Sequence, residues 1–127
     1  MIFLKISCVK ENSMKNIRNI KNIKITKDAT IKKALKVIEN GDIKIALVVD
    51  EKDKLIGTLT DGDIRRGFLK GHNIDSSISS IINKKPLVAK KTDKREKLLS
   101  NGLSKKIYQI PIVDSKGKVT EIYIIDE

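Results

Sequence analysis

The stretch Leu55-Ile56-Gly57-Thr58-Leu59-Thr60-Asp61-Gly62-Asp63-Ile64-Arg65-Arg66 decides how this chain is read. An apolar strand runs into a tight acidic turn, and a helix carrying two adjacent arginines begins there. Thr60 and Asp63 set a hydroxyl and a carboxylate at the rim of a strand-to-helix corner. A carboxylate can accept both hydroxyl protons of a ribose, and guanidinium groups can hold a phosphate. Those are the parts needed to hold a nucleotide without doing chemistry on it.

A degraded copy of these surroundings follows. The first copy runs from Ile45 to Gly57, with Ile45-Ala46-Leu47-Val48-Val49-Asp50 ahead of a charged turn. The second runs from Tyr108 to Glu121, with Ile110-Pro111-Ile112-Val113-Asp114 ahead of another. Asp114 follows Asp50 by 64 positions (114 − 50), and each closes an apolar run. Internal repetition can decide a fold, and neither half has much core alone, so two copies imply a tandem pair packed on each other.

On these residues the chain resembles a tandem pair of cystathionine-β-synthase (CBS) domains, a Bateman module. The family pattern is a helix, an apolar strand ending in Val-Val-Asp, a turn, a second strand, then Gly-hydrophobic-hydrophobic-Thr-x-x-Asp. Here the last part is Gly57 to Asp63. The resemblance covers roughly residues 20–127 and is weaker in the second copy. There Glu121, Ile124 and Glu127 stand where the first has Gly57, Thr60 and Asp63. It implies an α+β fold of two hairpin-and-helix repeats related by a pseudo-twofold. Residues 1–19 form a leader, 20–76 the first repeat and 77–127 the second, which lacks its final helix.

The resemblance also implies a nucleotide-binding set. Thr60 and Asp63 hold the ribose, Arg66 or Arg65 a phosphate, and Ile45 and Ala46 belong to the same site. The wording from Thr60 to Gly71 is similar to modules fused to sugar-phosphate nucleotidyltransferases. The seven glycines form no Gly-x-Gly phosphate loop, so no catalytic domain is recognised. The implied function is a regulatory module that senses an adenosine nucleotide of the AMP, ADP or ATP class. It would control or dimerise a fused or partner enzyme and would need no cofactor. The alternative is a purely structural dimerisation module; an enzyme is the weakest of the three classes.

Composition agrees with one soluble unit. Apolar residues make up 39% and charged residues 34%, which fits a globular domain rather than a disordered one. With aromatics at 3% the core must be aliphatic. The single cysteine, Cys8, cannot form an internal disulfide and suits a reducing cytoplasm. No apolar run approaches the roughly 20 residues that span a bilayer. The net charge of +11 is the misleading feature. Only Arg18, Arg65, Arg66 and Arg95 are arginines; lysines are scattered through every segment without stacking aromatics. That is a solvated surface and argues against nucleic acid as a partner.

Turn signals order the elements. Residues 1–13 show no period, and Met14 is a second candidate start. Thr30 caps a helix with Ile31, Ala34, Leu35 and Ile38 on one face, ended by Asn40-Gly41. Ile43 to Val49 and Leu55 to Thr60 read as a hairpin. The helix from about Asp63 to Lys70 should bury Ile64 and Phe68. A short helix is expected near Asp75 to Ile82, a strand at Leu87-Val88-Ala89, and a helix capped by Thr92 or Asp93 with Leu98, Leu99 and Leu103 inward. Ile107 to Val113 and Val119 to Ile125 form a second hairpin. Asp61 serves the helix start. Arg65 and Arg66 point about 100° apart, so only one can face a cleft. His72 has no second histidine or cysteine nearby to share a metal. Two helical faces, Ile64 with Phe68 and Ile78 with Ile81 and Ile82, would leave an apolar patch that a homodimer covers.

Overall fold

The computed structural model describes residues 14–125. Its β-strands are β1 (Met14–Ile17), β2 (Lys24–Ile25), β3 (Ala46–Val49), β4 (Leu55–Leu59), β5 (Gln109–Val113) and β6 (Val119–Ile125). Its α-helices are α1 (Ile31–Asn40), α2 (Asp61–Leu69) and α3 (Arg95–Lys105). Two three-stranded sheets result, ordered β2-β3-β4 and β1-β6-β5. The fold is α+β, as the sequence implies.

The repeat is visible in the register. β3 and β4 pair antiparallel with Ala46 opposite Leu59, and β5 and β6 with Ile110 opposite Tyr123. Ile25 lies parallel to Val48, and Ala89 bridges Ile112 in the same sense. Register shifts fall at Val48/Val49 and Ile112/Val113. Every one of these positions maps onto its counterpart by the same 64-residue offset that separates Asp50 from Asp114. The two hairpin turns meet: Lys54 bridges Lys118, and the Leu55 amide donates to the Gly117 carbonyl at 2.9 Å.

Alternation on β3 sets the layers. Ala46 and Val48 face Ile31, Ala34 and Ile38 of α1 and Ile64 of α2. Ile45, just before β3, and Leu47 join Val119 and Ile122 of β6, a seam shared by the two repeats. A second helix-side core joins Leu98 of α3 to Ile110, Ile112, Tyr123 and Ile125. Burying one such aliphatic side chain is worth about 1.5–3 kcal/mol, whereas an exposed ion pair is worth under about 1 kcal/mol. The seam therefore holds the repeats together, and the surface charges do not.

Several expectations are corrected. Residues 14–17 belong to β1 and pair with β6 from Met14–Ile125 to Ile17–Ile122, and Ile20 is buried, so the leader cannot extend to residue 19. Residues 1–13, with Cys8, and residues 126–127 lie outside the described part. Lys44 takes a φ of 63°, which breaks the extended run, so β3 starts at Ala46 and not Ile43. The expected helix at 75–82 is a single 3-10 turn over Ile78–Ser80, because Asn83 leaves in extended form to pair with Thr58. The Leu87–Ala89 strand reduces to the Ala89 bridge. Asp93 does not cap α3; its carboxylate accepts from the Lys90 amide at 2.9 Å.

Two helices carry glycine where a larger residue was expected inside. Phe68 is 41% exposed and Leu103 49% exposed. Gly67 and Gly102 are buried instead. A Cβ on Gly67 would lie 3.0 Å from an Ile81 methyl, and one on Gly102 would lie 2.8 Å from the Ile107 carbonyl oxygen. Close approach turns the neighbouring large side chains outward.

Asp50 and Asp114 hold their turns identically. Asp50 accepts from the Lys52 and Lys54 amides at 2.8 and 2.9 Å, and Asp114 from the Lys116 and Lys118 amides at 2.8 and 3.0 Å. The Lys54 amide foremost, then that of Lys52, holds the Asp50 carboxyl below the ordinary 3.8; the Lys118 and Lys116 amides do the same for Asp114. A carboxyl depressed on folding stabilises above its unfolded value, and the gain is lost as pH falls through the folded value. The melting temperature should therefore drop as pH is lowered below about 4, and Asp50→Ala/Asp114→Ala should flatten that drop in a melt series from pH 6 to 2.5. An equal drop in the double variant would show that other carboxylates carry the acid sensitivity.

Candidate functional site

The site grows from a close approach at Gly57. The Thr58 amide donates to the Asn83 carbonyl at 3.1 Å, and the Asn83 amide donates back to Thr58 at 3.0 Å. Any Cβ on Gly57 would collide with the Asn83 carbonyl oxygen and an Ile82 methyl. Glycine is the residue that lets the crossing chain lie on β4. That contact brings residues 80–83 beside α2, which starts directly after β4.

Between them lies a cleft of about 380 Å³. Asp63, Arg66 and Lys70 line it from the helix, Ser80 and Asn83 from the opposite wall. Asp63 is mostly buried, its side chain 13% exposed. Its Oδ2 accepts from the Thr60 amide at 3.0 Å and the Thr60 hydroxyl at 3.2 Å. The carboxylate thus satisfies a free N–H at the helix start and lies at the positive end of the helix dipole. Its Oδ1 accepts from Arg66 Nη2 at 2.7 Å. Ser80 Oγ lies 3.2 Å from His72 Nε2, which ties the far wall to the loop after α2.

The sequence-derived set divides. Thr60, Asp63 and Arg66 are joined by hydrogen bonds, and Asp63 and Arg66 line the cleft while Thr60 sits behind them. Arg65 is exposed and does not line it. Ile45 is 3% exposed in the seam between repeats and Ala46 0% exposed under the helices, and neither is among the residues lining the cleft. Asp61 is the exposed first residue of α2. Lys70, Ser80 and Asn83 were not anticipated. Ser80 sits within, and Asn83 just after, the segment near Asp75 to Ile82 whose isoleucine spacing reads as helix, and only the glycine at Gly57 hints that a chain crosses there.

In the second repeat Glu121 takes the place of Gly57. It is 2% exposed, and Arg18 Nε reaches its Oε2 at 3.3 Å from the end of β1. Ile124 replaces Thr60 and has no hydroxyl; Glu127 lies outside the described residues. A broader concavity of about 470 Å³ beside α1 is lined by Lys32, Lys33 and Lys36 with Asn22 and Asn40. It has no carboxylate to accept sugar hydroxyls, so the Asp63 cleft is the better-equipped site. Among the described residues no three His, Cys, Asp or Glu side chains cluster to hold a metal, and no helix is long and apolar enough to cross a membrane.

Residues 15–70 match the CBS domain family. The fold is that of CBS domain pairs. One such pair, solved with 5′-methylthioadenosine and S-adenosyl-L-methionine, superposes with a TM-score of 0.70 at 23% identity, over 79% of this chain and 82% of that one. CBSX2, solved with AMP, gives a TM-score of 0.68 at 19% identity over 84% of both chains. Inosine-5′-monophosphate dehydrogenase of Aquifex aeolicus is 30% identical over 112 residues, which is 85% of this chain and 22% of the enzyme. The chain spans between a fifth and a third of the first curated relatives it matches. The family match lies in the first half of the chain, and the fold of a CBS domain pair extends over both halves.

Gly57→Ala tests the crossing. With backbone on one side and a packed isoleucine on the other, the added methyl should cost about 1–3 kcal/mol. In a denaturant melt the variant should lose that stability, and amide exchange at Thr58 and Asn83 should quicken. Wild-type stability would mean that the crossing yields without loss.

Proposed function

We propose that this chain is a regulatory module that holds one adenosine nucleotide, of the AMP, ADP or ATP class, in the cleft between α2 and residues 80–83. The observation that carries the reading is Asp63: a mostly buried carboxylate on the lip of a cleft whose remaining charges, Arg66 and Lys70, are positive. A carboxylate with two cations further along the same cleft suits a ligand with vicinal hydroxyls and an anionic tail. The adenosine compounds bound by the two solved neighbours support the choice of base. The ribose engages Asp63 and Thr60, and the phosphate lies toward Arg66 and Lys70. Arg65 stays on the surface.

The module acts on a catalytic domain, fused or separate. The relative in Aquifex aeolicus joins such a segment to a dehydrogenase; the wording from Thr60 to Gly71 favours a sugar-phosphate nucleotidyltransferase here. The reading calls for no cofactor and involves neither nucleic acid nor membrane, and it places the protein in the cytoplasm. Ile64 and Ile78, expected on a bare helical face, are buried in the core, but Phe68, Leu69 and Ile74 are 41%, 82% and 46% exposed, which favours a homodimer. A structural dimer without ligand is the second reading, favoured by the substituted second repeat.

A ligand at 100 times its dissociation constant adds about 2.7 kcal/mol. Millimolar AMP, ADP or ATP should therefore raise the melting temperature by several degrees, and Asp63→Ala should abolish the shift while costing about 1 kcal/mol of stability. No shift with any of the three selects the structural reading. Light scattering at tens of micromolar should give a dimer that persists as salt rises, since apolar burial is not screened; a monomer removes the dimer from the proposal.

A further inference from the structure

Both oxygens of Asp63 are engaged by the chain itself. Oδ2 takes the Thr60 amide and hydroxyl, and Oδ1 takes the Arg66 guanidinium at 2.7 Å. A carboxylate offers about four lone-pair sites. Three donors with two ribose hydroxyls exceed them, so one donor must leave when a sugar binds. The Thr60 amide is fixed by the helix start, and the Thr60 hydroxyl sits on Oδ2. The donor on Oδ1 is the one that stands where the second hydroxyl must go.

We infer that Arg66 is a phosphate-dependent latch on Asp63, which makes the cleft select phosphorylated nucleosides over uncharged or cationic adenosine compounds. The inference rests on the nucleotide site proposed above and specifies its ligand class. Its basis is the way Arg66 lies. The Arg66 side chain folds back along α2, where a Cβ on Gly62 would stand only 3.3 Å from Nη1. The bare first turn thus lets the guanidinium cover the carboxylate. The arginine is held from that side alone and is 65% exposed, so it can swing without disturbing the core.

A nucleoside that displaces Arg66 gains hydroxyl bonds to Asp63 but breaks a charge-assisted one and returns the guanidinium to water. A nucleotide supplies the replacement partner, since its phosphate offers the guanidinium a bidentate acceptor. Lys70, one turn further on and also lining the cleft, adds a second cation for the same anion. A sulfonium compound puts positive charge close to where the nucleotide carries its phosphate, beside Arg66 and Lys70, and is opposed there. Arg66 therefore acts twice, opposing sugar entry and rewarding phosphate.

The two effects have opposite signs in one variant, which makes the test specific. Isothermal titration of the full chain with AMP, adenosine and S-adenosylmethionine should find adenosine at least about tenfold weaker than AMP in the wild type. Arg66→Ala should weaken AMP by about tenfold while tightening adenosine by about two- to fivefold, since the ion pair it removes is worth only a modest factor. Arg66→Lys, which keeps the charge and loses the fork, should recover part of the AMP preference. Should Arg66→Ala fail to fold, Arg66→Gln carries the same expectation. An AMP-to-adenosine ratio unchanged in Arg66→Ala, or adenosine weakened along with AMP, overturns the latch alone. Binding of none of the three compounds by either protein overturns the nucleotide site itself.

Discussion

Two backbone hydrogen bonds between Thr58 and Asn83 hold the functional geometry together. They exist because Gly57 has no side chain to push the crossing segment away. Through them residues 80–83 lie along β4, face α2 and close a cleft around Asp63. Gly67 repeats the device one layer out, letting α2 settle on Ile81 and turning Phe68 to the surface. Small residues at two contacts thus set both where the cleft opens and which large apolar side chain is left at the surface.

The same architecture, repeated at an offset of 64 residues, diverges at just these points. The strand pairing, the register shifts and the aspartate-held turns are common to both halves. One turn has Asp53 at a φ of 64°, tied to Lys24, and the other has Gly117 at 82°. On β6 the crossing strand is β1, and the glycine is replaced by Glu121 under Arg18. A buried carboxylate is tolerated when a cation reaches it and is costly without one. The second repeat therefore conserves the scaffold's shape while substituting the chemistry of the first.

Much of the scaffold was legible because it depends on local pattern. The face of α1 follows from Ile31, Ala34 and Ile38 at helical spacing after Thr30, whose hydroxyl accepts from the Lys33 amide. The span of β6 follows from its apolar run, and the repeat from the matching Val-Val-Asp and Ile-Val-Asp turns. What failed depends on tertiary contact. Phe68 and Leu103 have ideal helical spacing for burial, but neighbouring glycines take the contact. Ile74, Ile78, Ile81 and Ile82 carry a helical period, yet Asn83 just after them is recruited by Thr58. The pairing of Thr60 with Asp63 at the helix start was legible from their spacing; the opposite wall of the cleft was not, since it arrives from a distant segment. Ile45 and Ala46 belong to the same motif region but spend their side chains on two different cores.

The central claim is that an adenosine nucleotide occupies the cleft between α2 and residues 80–83, and amide chemical-shift mapping tests it most directly. Titrating AMP into the isotopically labelled chain should move the amides of Thr60, Asp63 and Arg66 together with those of Ser80, Ile82 and Asn83, saturating at one ligand per chain. Shifts confined to the lysine-lined surface of α1, growing without saturation and vanishing with salt, would instead reveal a nucleotide attracted only by net charge and would contradict the account.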